Sequence, residues 1–212
     1  MFTGIVQTQC VVVGVGDADG VRSLTVDLGD AVDGLELGAS VANNGACLTA
    51  REISGDLVSF DIIGETLDLT NLGDALVGDK VNIERSLKFG DELGGHLVSG
   101  HISGTAVVDE VLVDGGNCTM WFSSTASWMT YLLRKGWVTV DGVSLTVSNL
   151  DREHSRFGVS LIPETLRRTT LGSIREGDRV NIEPDAQIQT IVQTVHSLFR
   201  DTDLRQQLLG SS

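Results

Sequence analysis

Short strand-like runs, separated by turns rich in glycine and aspartate, dominate the chain. Residues 11–13 and 24–26 are runs of this kind, and residues 57–63 alternate partly between apolar and polar positions. Residues 80–84 (KVNIE) alternate cleanly, as expected of a strand with one buried face. About six short strands in about 90 residues predict a closed β-barrel, because closure removes the exposed edges of the sheet.

The strand pattern occurs twice in the chain. Four segments recur in the same order at offsets that grow from 96 to 99 residues: 3–6 with 99–102, 45–49 with 142–146, 65–67 with 164–166, and 78–84 with 177–183. Chance similarity would not keep its register over about 90 residues, so the chain is predicted to be a tandem duplication. The offset grows from 97 to 99 within a polar turn, where insertions are tolerated.

Two segments do not follow the strand pattern. Residues 123–135 (SSTASWMTYLLRK) begin with capping residues and end before Gly136, which predicts a helix within the second copy. Residues 185–209 place apolar side chains on one helical stripe, at Ile188, Ile191, Val192, Val195 and Leu198. Such a helix needs an apolar partner, either its own barrel or another copy of the chain.

These patterns together predict an all-β fold. It consists of two tandem six-stranded, Greek-key-like β-barrels that arose by internal duplication, followed by a C-terminal α-helix. The predicted domains are an N-terminal barrel at 1–95, a C-terminal barrel at 96–185 and the helix at 186–209.

Composition and charge restrict the partners of the protein. The formal net charge is -14, which disfavours binding to nucleic acid and to anionic membranes. No run of 18 apolar residues and no cleavable signal pattern is present, so we expect a cytoplasmic protein. Three widely spaced cysteines and four histidines without metal-ligand spacing predict neither a disulfide framework nor a metal site.

The two copies differ at positions that could carry chemistry. Cys47 in the first copy corresponds to Ser144 in the second, and Ile5 corresponds to His101. The thiol could instead be a small buried hydrophobe, and the imidazole could be a structural group. His96 and His101 are five residues apart, so on a strand they would face opposite sides and at most one would enter a given pocket.

Glu65 and Glu164 are open to two interpretations. Each follows a predicted strand, so its carboxylate could be a helix-start charge or a ligand contact.

Several segments in combination carry a resemblance to a known family. They are the N-terminal MFTGIV, GASVANNGACLT at 38–49, GGHLVSGH at 94–101, DGVSLT at 141–146 and LIPETL at 161–166. With these motifs the chain resembles the riboflavin synthase family (alpha-chain type) over residues 1 to about 200. Each motif alone is weak, and the combination is specific.

The resemblance implies a reaction and an assembly. Two molecules of 6,7-dimethyl-8-ribityllumazine would exchange a four-carbon unit to give riboflavin and 5-amino-6-(D-ribitylamino)uracil, with no cofactor and no metal. It also implies a homotrimer held by the C-terminal helices, with each active site between the first barrel of one subunit and the second barrel of a neighbour. Lumazine synthase would be a further partner.

The resemblance also implies roles for particular residues. Cys47, His101, Ser40 and Phe2 would be the catalytic residues. The first pocket would use Cys47, Leu48, Thr49, Asp61, Ile62, Ile63, Gly64, Glu65, Thr66, Gly100, His101 and Ile102. The second pocket would use Gly4, Ile5, Val6, Lys135, Ser144, Leu145, Thr146, Ser160, Leu161, Ile162, Pro163, Glu164 and Thr165.

A binding protein is the main alternative to an enzyme. The family has non-catalytic relatives, the lumazine proteins, that keep the double barrel and hold a lumazine or flavin as an optical antenna. Because Ser40, Cys47 and His101 occur together here, the sequence favours the enzyme.

Overall fold

The computed structural model describes residues 1–200 and contains two closed, six-stranded antiparallel barrels followed by a helix. The first barrel consists of β1 (Thr8–Ala18), β2 (Val21–Asp27), β3 (Ser40–Asn43), β4 (Ala46–Ser54), β5 (Leu57–Ile62) and β6 (Lys80–Arg85). The second consists of β7 (Gly104–Asp114), β8 (Asn117–Ser123), β9 (Trp137–Val140), β10 (Val143–Asp151), β11 (Arg156–Leu161) and β12 (Arg179–Pro184). The predicted double barrel is therefore confirmed.

Both barrels have the same topology. The strands of the first follow one another around the barrel in the order β1-β2-β5-β4-β3-β6, and those of the second have the same order with each number raised by six. A short helix follows the fifth strand of each barrel, α1 (Gly64–Leu69) in the first and α2 (Pro163–Arg168) in the second. The identical order confirms the duplication that the sequence predicts.

Strand alternation decides which side chains fill each barrel. In β4, Leu48 is buried in the barrel, whereas its neighbours Cys47 and Thr49 lie on the outer face. In the second barrel, Phe122 and Phe157 are fully buried and stack with their ring centroids 5.2 Å apart. Because apolar side chains fill both barrels, a ligand has to bind on their outer surfaces.

Reciprocal hydrogen bonds from asparagine side chains join the two barrels. The side-chain amide of Asn82 donates to the backbone carbonyl of Asp141 at 2.9 Å, and that of Asn181 donates to the carbonyl of Asn44 at 2.9 Å. These four residues are buried, and they are paired by the internal repeat. The interface between the barrels therefore has approximate two-fold symmetry, and this symmetry relates each surface of the first barrel to the corresponding surface of the second.

The helix predicted at 123–135 is wrong. Strand β8 continues to Ser123, and only a 3-10 helix at Ser127–Tyr131 follows it. Trp128 and Leu132 are buried in the second barrel, so tertiary packing determines the backbone of this segment. Lys135, the last residue of the predicted helix, instead has a positive φ of 67° in the turn before β9.

A C-terminal helix, α3 (Ala186–Arg200), follows the second barrel as predicted. Residues 201–209 of the predicted helix lie outside the described residues. None of the residues of α3 is buried, and the apolar side chains of Ile191, Val195 and Phe199 are exposed. Its hydrogen bond to the barrel is from the Gln193 side chain to the Tyr131 hydroxyl, at 3.1 Å. Within residues 1–200, no helix is long and apolar enough to cross a membrane.

Candidate functional site

The segments that begin the two copies are exchanged between the barrels. Gly4, near the start of the first copy, accepts a hydrogen bond through its carbonyl from the backbone amide of Ser144 in β10, at 2.7 Å. Gly100, near the start of the second copy, accepts one from the amide of Cys47 in β4, at 2.9 Å. The thiol and the hydroxyl of the duplicated strand are therefore each next to a segment from the other copy.

Both exchanged segments need glycine at the crossing point. A β-carbon on Gly4 would lie 2.6 Å from the β-carbon of Ser144, and one on Gly100 would lie 2.6 Å from that of Cys47. Both glycines also have positive φ, 73° and 83°, which disfavours other residues. The conformational freedom of glycine thus brings His101 next to Cys47.

Two buried glutamates hold the exchanged segments in place. One carboxylate oxygen of Glu84 accepts hydrogen bonds from the amide and hydroxyl of Thr3, and the other accepts from the amide of Gly4. Glu183 holds Ser99 and Gly100 with the same three bonds. Burial raises the pKa of both carboxyls, and these bonds oppose the rise by favouring the charged form.

The first candidate site is a cavity of about 220 Å³ on the outside of the first barrel. Its lining includes Cys47, Glu65, Thr66, Gly100, His101 and Ile102. The Cys47 side chain is half-buried and His101 is exposed, so both are accessible to a ligand. Among residues 1–200, the Cys47 thiol has no hydrogen-bond partner, and no cluster of three or more His, Cys, Asp or Glu residues could hold a metal ion.

The other residues predicted for the first pocket divide between the two faces of the barrel wall. Thr49, Asp61 and Ile63 are exposed on the outside, but none of them lines the cavity, whose wall is formed by β4, α1 and residues 100–102. Leu48 and Ile62 are buried inside the barrel, so they shape the site only from beneath. Gly64 begins α1, and Glu65 is the acidic residue of its first turn, so both interpretations of Glu65 fit its position.

Phe2 and Ser40 lie outside the cavity lining. Phe2 is fully buried, where its backbone pairs with Val98 through two hydrogen bonds of 2.8 and 3.0 Å. A β-carbon on Gly100 would lie 2.9 Å from the Phe2 ring, so this ring supports the segment that carries His101. Ser40 is half-buried at the start of β3, where it pairs with Thr49.

The second candidate site is centred on Ser144, on the outside of the second barrel. The Ser144 hydroxyl lies 2.7 Å from Nδ1 of His96, and the exchanged segment with Gly4 and Ile5 passes over β10. Of the residues predicted for this pocket, Gly4, Val6, Leu145 and Leu161 are buried. The rest are half-buried or exposed: Ile5, Lys135, Ser144, Thr146, Ser160, Ile162, Pro163, Glu164 and Thr165. Glu164 is paired with Arg167 and Arg168 of its own helix, and this lowers the pKa of its carboxyl.

Sequence reasoning missed His96 and Trp137 as parts of the second site. The two histidines do go to different sites, as predicted, but the segment that carries them is a loop and not a strand. His96 is buried and its ring stacks on that of Trp137, with the centroids 5.4 Å apart. The repeat offset of 97 residues pairs Trp137 with Ser40, and this difference between the copies could have revealed Trp137.

The sequence matches a family model, the lumazine binding domain, twice. The matched residues are 3–86 and 99–185, which include the strands of both barrels. The class of protein that fold and site define is therefore a tandem pair of lumazine binding domains.

Curated relatives identify the family more closely. The riboflavin synthase of Escherichia coli (strain K12) is 53% identical over 201 residues, which cover 94% of this chain and 93% of that one. The riboflavin synthase of Chlamydia pneumoniae is 42% identical over 204 residues, covering 94% and 97% of the two chains. The chain belongs to the riboflavin synthase family.

Solved structures of similar fold contain ligands of two related kinds. The crystal structure of LumP complexed with 6,7-dimethyl-8-(1'-D-ribityl) lumazine has a TM-score of 0.78 at 28% identity, and covers 86% of this chain and 98% of its own. The complex of LumP with riboflavin has a TM-score of 0.80 at 28% identity, and covers 87% and 100%.

Proposed function

We propose that the protein is a riboflavin synthase, a transferase that converts two molecules of 6,7-dimethyl-8-ribityllumazine into riboflavin and 5-amino-6-(D-ribitylamino)uracil. One lumazine gives a four-carbon unit to the other, so all atoms of the two substrates are in the two products and no external oxidant is needed. The observation that carries this proposal is that two structurally equivalent sites contain different reactive side chains. Cys47 and His101 meet at one, and Ser144 and His96 meet at the other.

A dismutation needs two copies of one molecule in opposite roles. Two homologous barrels supply two binding surfaces for the same ring system, and their different side chains assign the two roles. Two rings held face to face react without a bimolecular encounter, which can account for about 7–11 kcal/mol of the barrier.

His101 and Cys47 suit the proton and carbon chemistry of the reaction. The methyl group on carbon 7 of the lumazine is acidic, and its deprotonation needs a general base. The exposed imidazole of His101 fits that role. The accessible thiol of Cys47 fits a nucleophile or a proton donor towards the acceptor lumazine, which we assign to the first barrel.

The exposure of both sites supports an active site shared between subunits. Ile5, Ile63 and Ile162 have 48%, 60% and 62% of their surface exposed, although each is a predicted ligand contact. A planar ring bound there would keep one face in water unless a second surface covered it. In the proposed homotrimer, the second barrel of a neighbour covers the first barrel of each subunit.

The C-terminal helix supports the same assembly. Its apolar side chains Ile191, Val195 and Phe199 are exposed along one stripe, and its own barrel buries none of them. Association of three such helices would bury the stripe. We place this assembly in the cytoplasm, with lumazine synthase as a further partner because the enzyme that makes the substrate would supply it.

Mixing the purified protein with 6,7-dimethyl-8-ribityllumazine tests the proposal. Growth of riboflavin absorbance, with one riboflavin formed for every two lumazines consumed, is the expected result. Heat-denatured protein is the control for uncatalysed conversion. No growth of riboflavin absorbance over the control would overturn the proposal.

Binding without turnover is the second candidate function, and one observation favours it. LumP, whose solved structures contain the lumazine or riboflavin, has the same double-barrel fold at a TM-score of 0.78–0.80. For a binding protein, the same experiment would give a shift of the lumazine spectrum and no riboflavin. No spectral change of either kind would exclude both functions.

A further inference from the structure

His96 is held tightly although it lies in a loop between the barrels. The residue is buried, with only 3% of its surface exposed. One ring face stacks on Trp137 with an interplanar angle of 16°, and its backbone amide donates to the carbonyl of Thr3 at 3.1 Å. A side chain at the preceding residue, Gly95, would collide with that carbonyl and with Ser144. These contacts fix the position of the ring.

The fixed ring makes its hydrogen bond through Nδ1 to the Ser144 hydroxyl, at 2.7 Å. Burial lowers the pKa of His96, and the carboxylate of Asp185 opposes that change only in part. The lowered pKa favours the neutral ring, in which one nitrogen is a donor and the other an acceptor. A hydroxyl that is bonded to a fixed partner no longer rotates freely, so its remaining donor or acceptor capacity has a fixed direction.

Cys47 has no comparable support in the first site. Among residues 1–200, no side chain bonds to its thiol, and the position equivalent to Trp137 is occupied by Ser40. The support of Ser144 is therefore a property of the second site alone, and it does not follow from the symmetry of the fold.

We propose that His96 is a positioning residue of the second site, which orients the Ser144 hydroxyl towards a polar atom of the lumazine ring bound there. This inference rests on the proposed function only in requiring that the second barrel binds a lumazine. It does not require turnover. His96 acts through Ser144 and does not itself touch the ligand.

Two substitutions of His96 separate positioning from packing. The side-chain amide of His96→Asn reaches the place of Nδ1, whereas that of His96→Gln reaches the place of Nε2. We expect His96→Gln to weaken lumazine binding at one of two sites per chain by about tenfold, the equivalent of one hydrogen bond. We expect His96→Asn to stay within about threefold of the parent protein. His154→Gln, at an exposed turn, is the matched control.

Combination with Ser144→Ala completes the test, with 6,7-dimethyl-8-ribityllumazine as the probe in calorimetric titrations. If His96 acts through Ser144, His96→Gln has no further effect in the Ser144→Ala background. Losses that multiply, or a His96→Asn variant as impaired as His96→Gln, would overturn the inference. Circular dichroism of each variant checks its fold, and the Asn variant still decides the outcome if the Gln variant does not fold.

The titrations also distinguish this inference from the proposed function. A protein that binds two lumazines without making riboflavin would refute the enzyme and still allow the His96 test. In an active enzyme, the weaker lumazine binding of His96→Gln should appear as a higher KM, whereas His96→Asn should keep the KM close to that of the parent protein.

Discussion

Gly45 and Gly142 face each other across the joint between the barrels, where a β-carbon on Gly45 would lie 2.7 Å from the backbone nitrogen of Gly142. Each glycine ends a two-residue hairpin turn, after Asn44 in the first barrel and Asp141 in the second. Both turns have positive φ at both positions, between 45° and 82°. Asn-Gly and Asp-Gly are the sequences that such turns prefer. The same two glycines thus close a hairpin and allow the barrels to meet.

Substitution of Gly45 by alanine should therefore destabilise the protein strongly. A left-handed backbone and a collision with fixed backbone atoms together predict a loss of about 2–4 kcal/mol in the free energy of unfolding. Gly55→Ala is the matched control, because Gly55 has a φ of 60° but nothing within 4 Å of the added carbon. Urea unfolding measures both variants. Equal losses at the two positions would show that the inter-barrel contact has no energetic weight.

Asp141 should make stability depend on pH. It is fully buried, and burial raises its pKa from 3.8 to about 7 despite hydrogen bonds from Asn181 and Asn71. A folded-state pKa above the unfolded one means that the folded protein holds this proton more tightly. The contribution is complete below about pH 4 and is lost as the pH rises to about 7.

Asp141→Asn tests that contribution at pH 8. The first copy has Asn44 at this position, so the fold accepts the amide, and Oδ1 can keep both hydrogen bonds of the carboxylate. In the first barrel, the Asn44 amide donates to the side chain of Asn71. The repeat counterpart of Asn71 is Thr170, whose buried hydroxyl has no hydrogen-bond partner within residues 1–200. We expect Tm at pH 8 to rise by about 3 °C or more, with a smaller gain at pH 5. A Tm that falls equally at both pH values would contradict the assignment.

The two sites should respond unequally to loss of their reactive groups. Cys47→Ser and His101→Gln should each lower kcat by about 100-fold, as expected for loss of a group that transfers a proton or attacks the substrate. Ser144→Ala should cost about tenfold, because it removes one hydrogen bond. Steady-state formation of riboflavin is the measurement. Equal losses in all three variants would rule out a division of roles between the barrels.

Deletion of residues 186–212 should yield monomers with little activity. Because no residue of α3 is fully buried against the barrels, the two barrels should remain folded, and only the association between subunits should be lost. Light scattering gives the mass, and riboflavin formation gives the activity. Full turnover by a verified monomer would refute a shared active site.

A single charge on the apolar stripe of α3 gives a milder version of this test. Ile191→Glu should weaken the assembly, whereas Ser197→Glu, on the opposite face of the helix, should leave it intact. Sedimentation at several protein concentrations compares the two variants. An assembly that both variants weaken equally would argue against the stripe as the contact.

The sequence by itself determined the duplication, the strands and the helix after the second barrel. These features depend on local rules that repeat along the chain, such as the alternation at 80–84 and the Asn44-Gly45 turn. Local rules failed at 123–135, where capping residues predict a helix. Burial of Trp128 in the barrel decides otherwise, because packing outweighs the small propensity differences of a short segment.

Only the tertiary structure decided how the sites are assembled. The repeat showed that Cys47 corresponds to Ser144, but not that each of them lies against a segment from the other copy. The contact of His96 with Ser144 joins residues 48 positions apart, and no periodicity along the chain encodes such a distance. It follows from the crossing of the N-terminal segment over β10, because the backbone amide of His96 pairs with Thr3 of that segment and so brings the ring against Ser144.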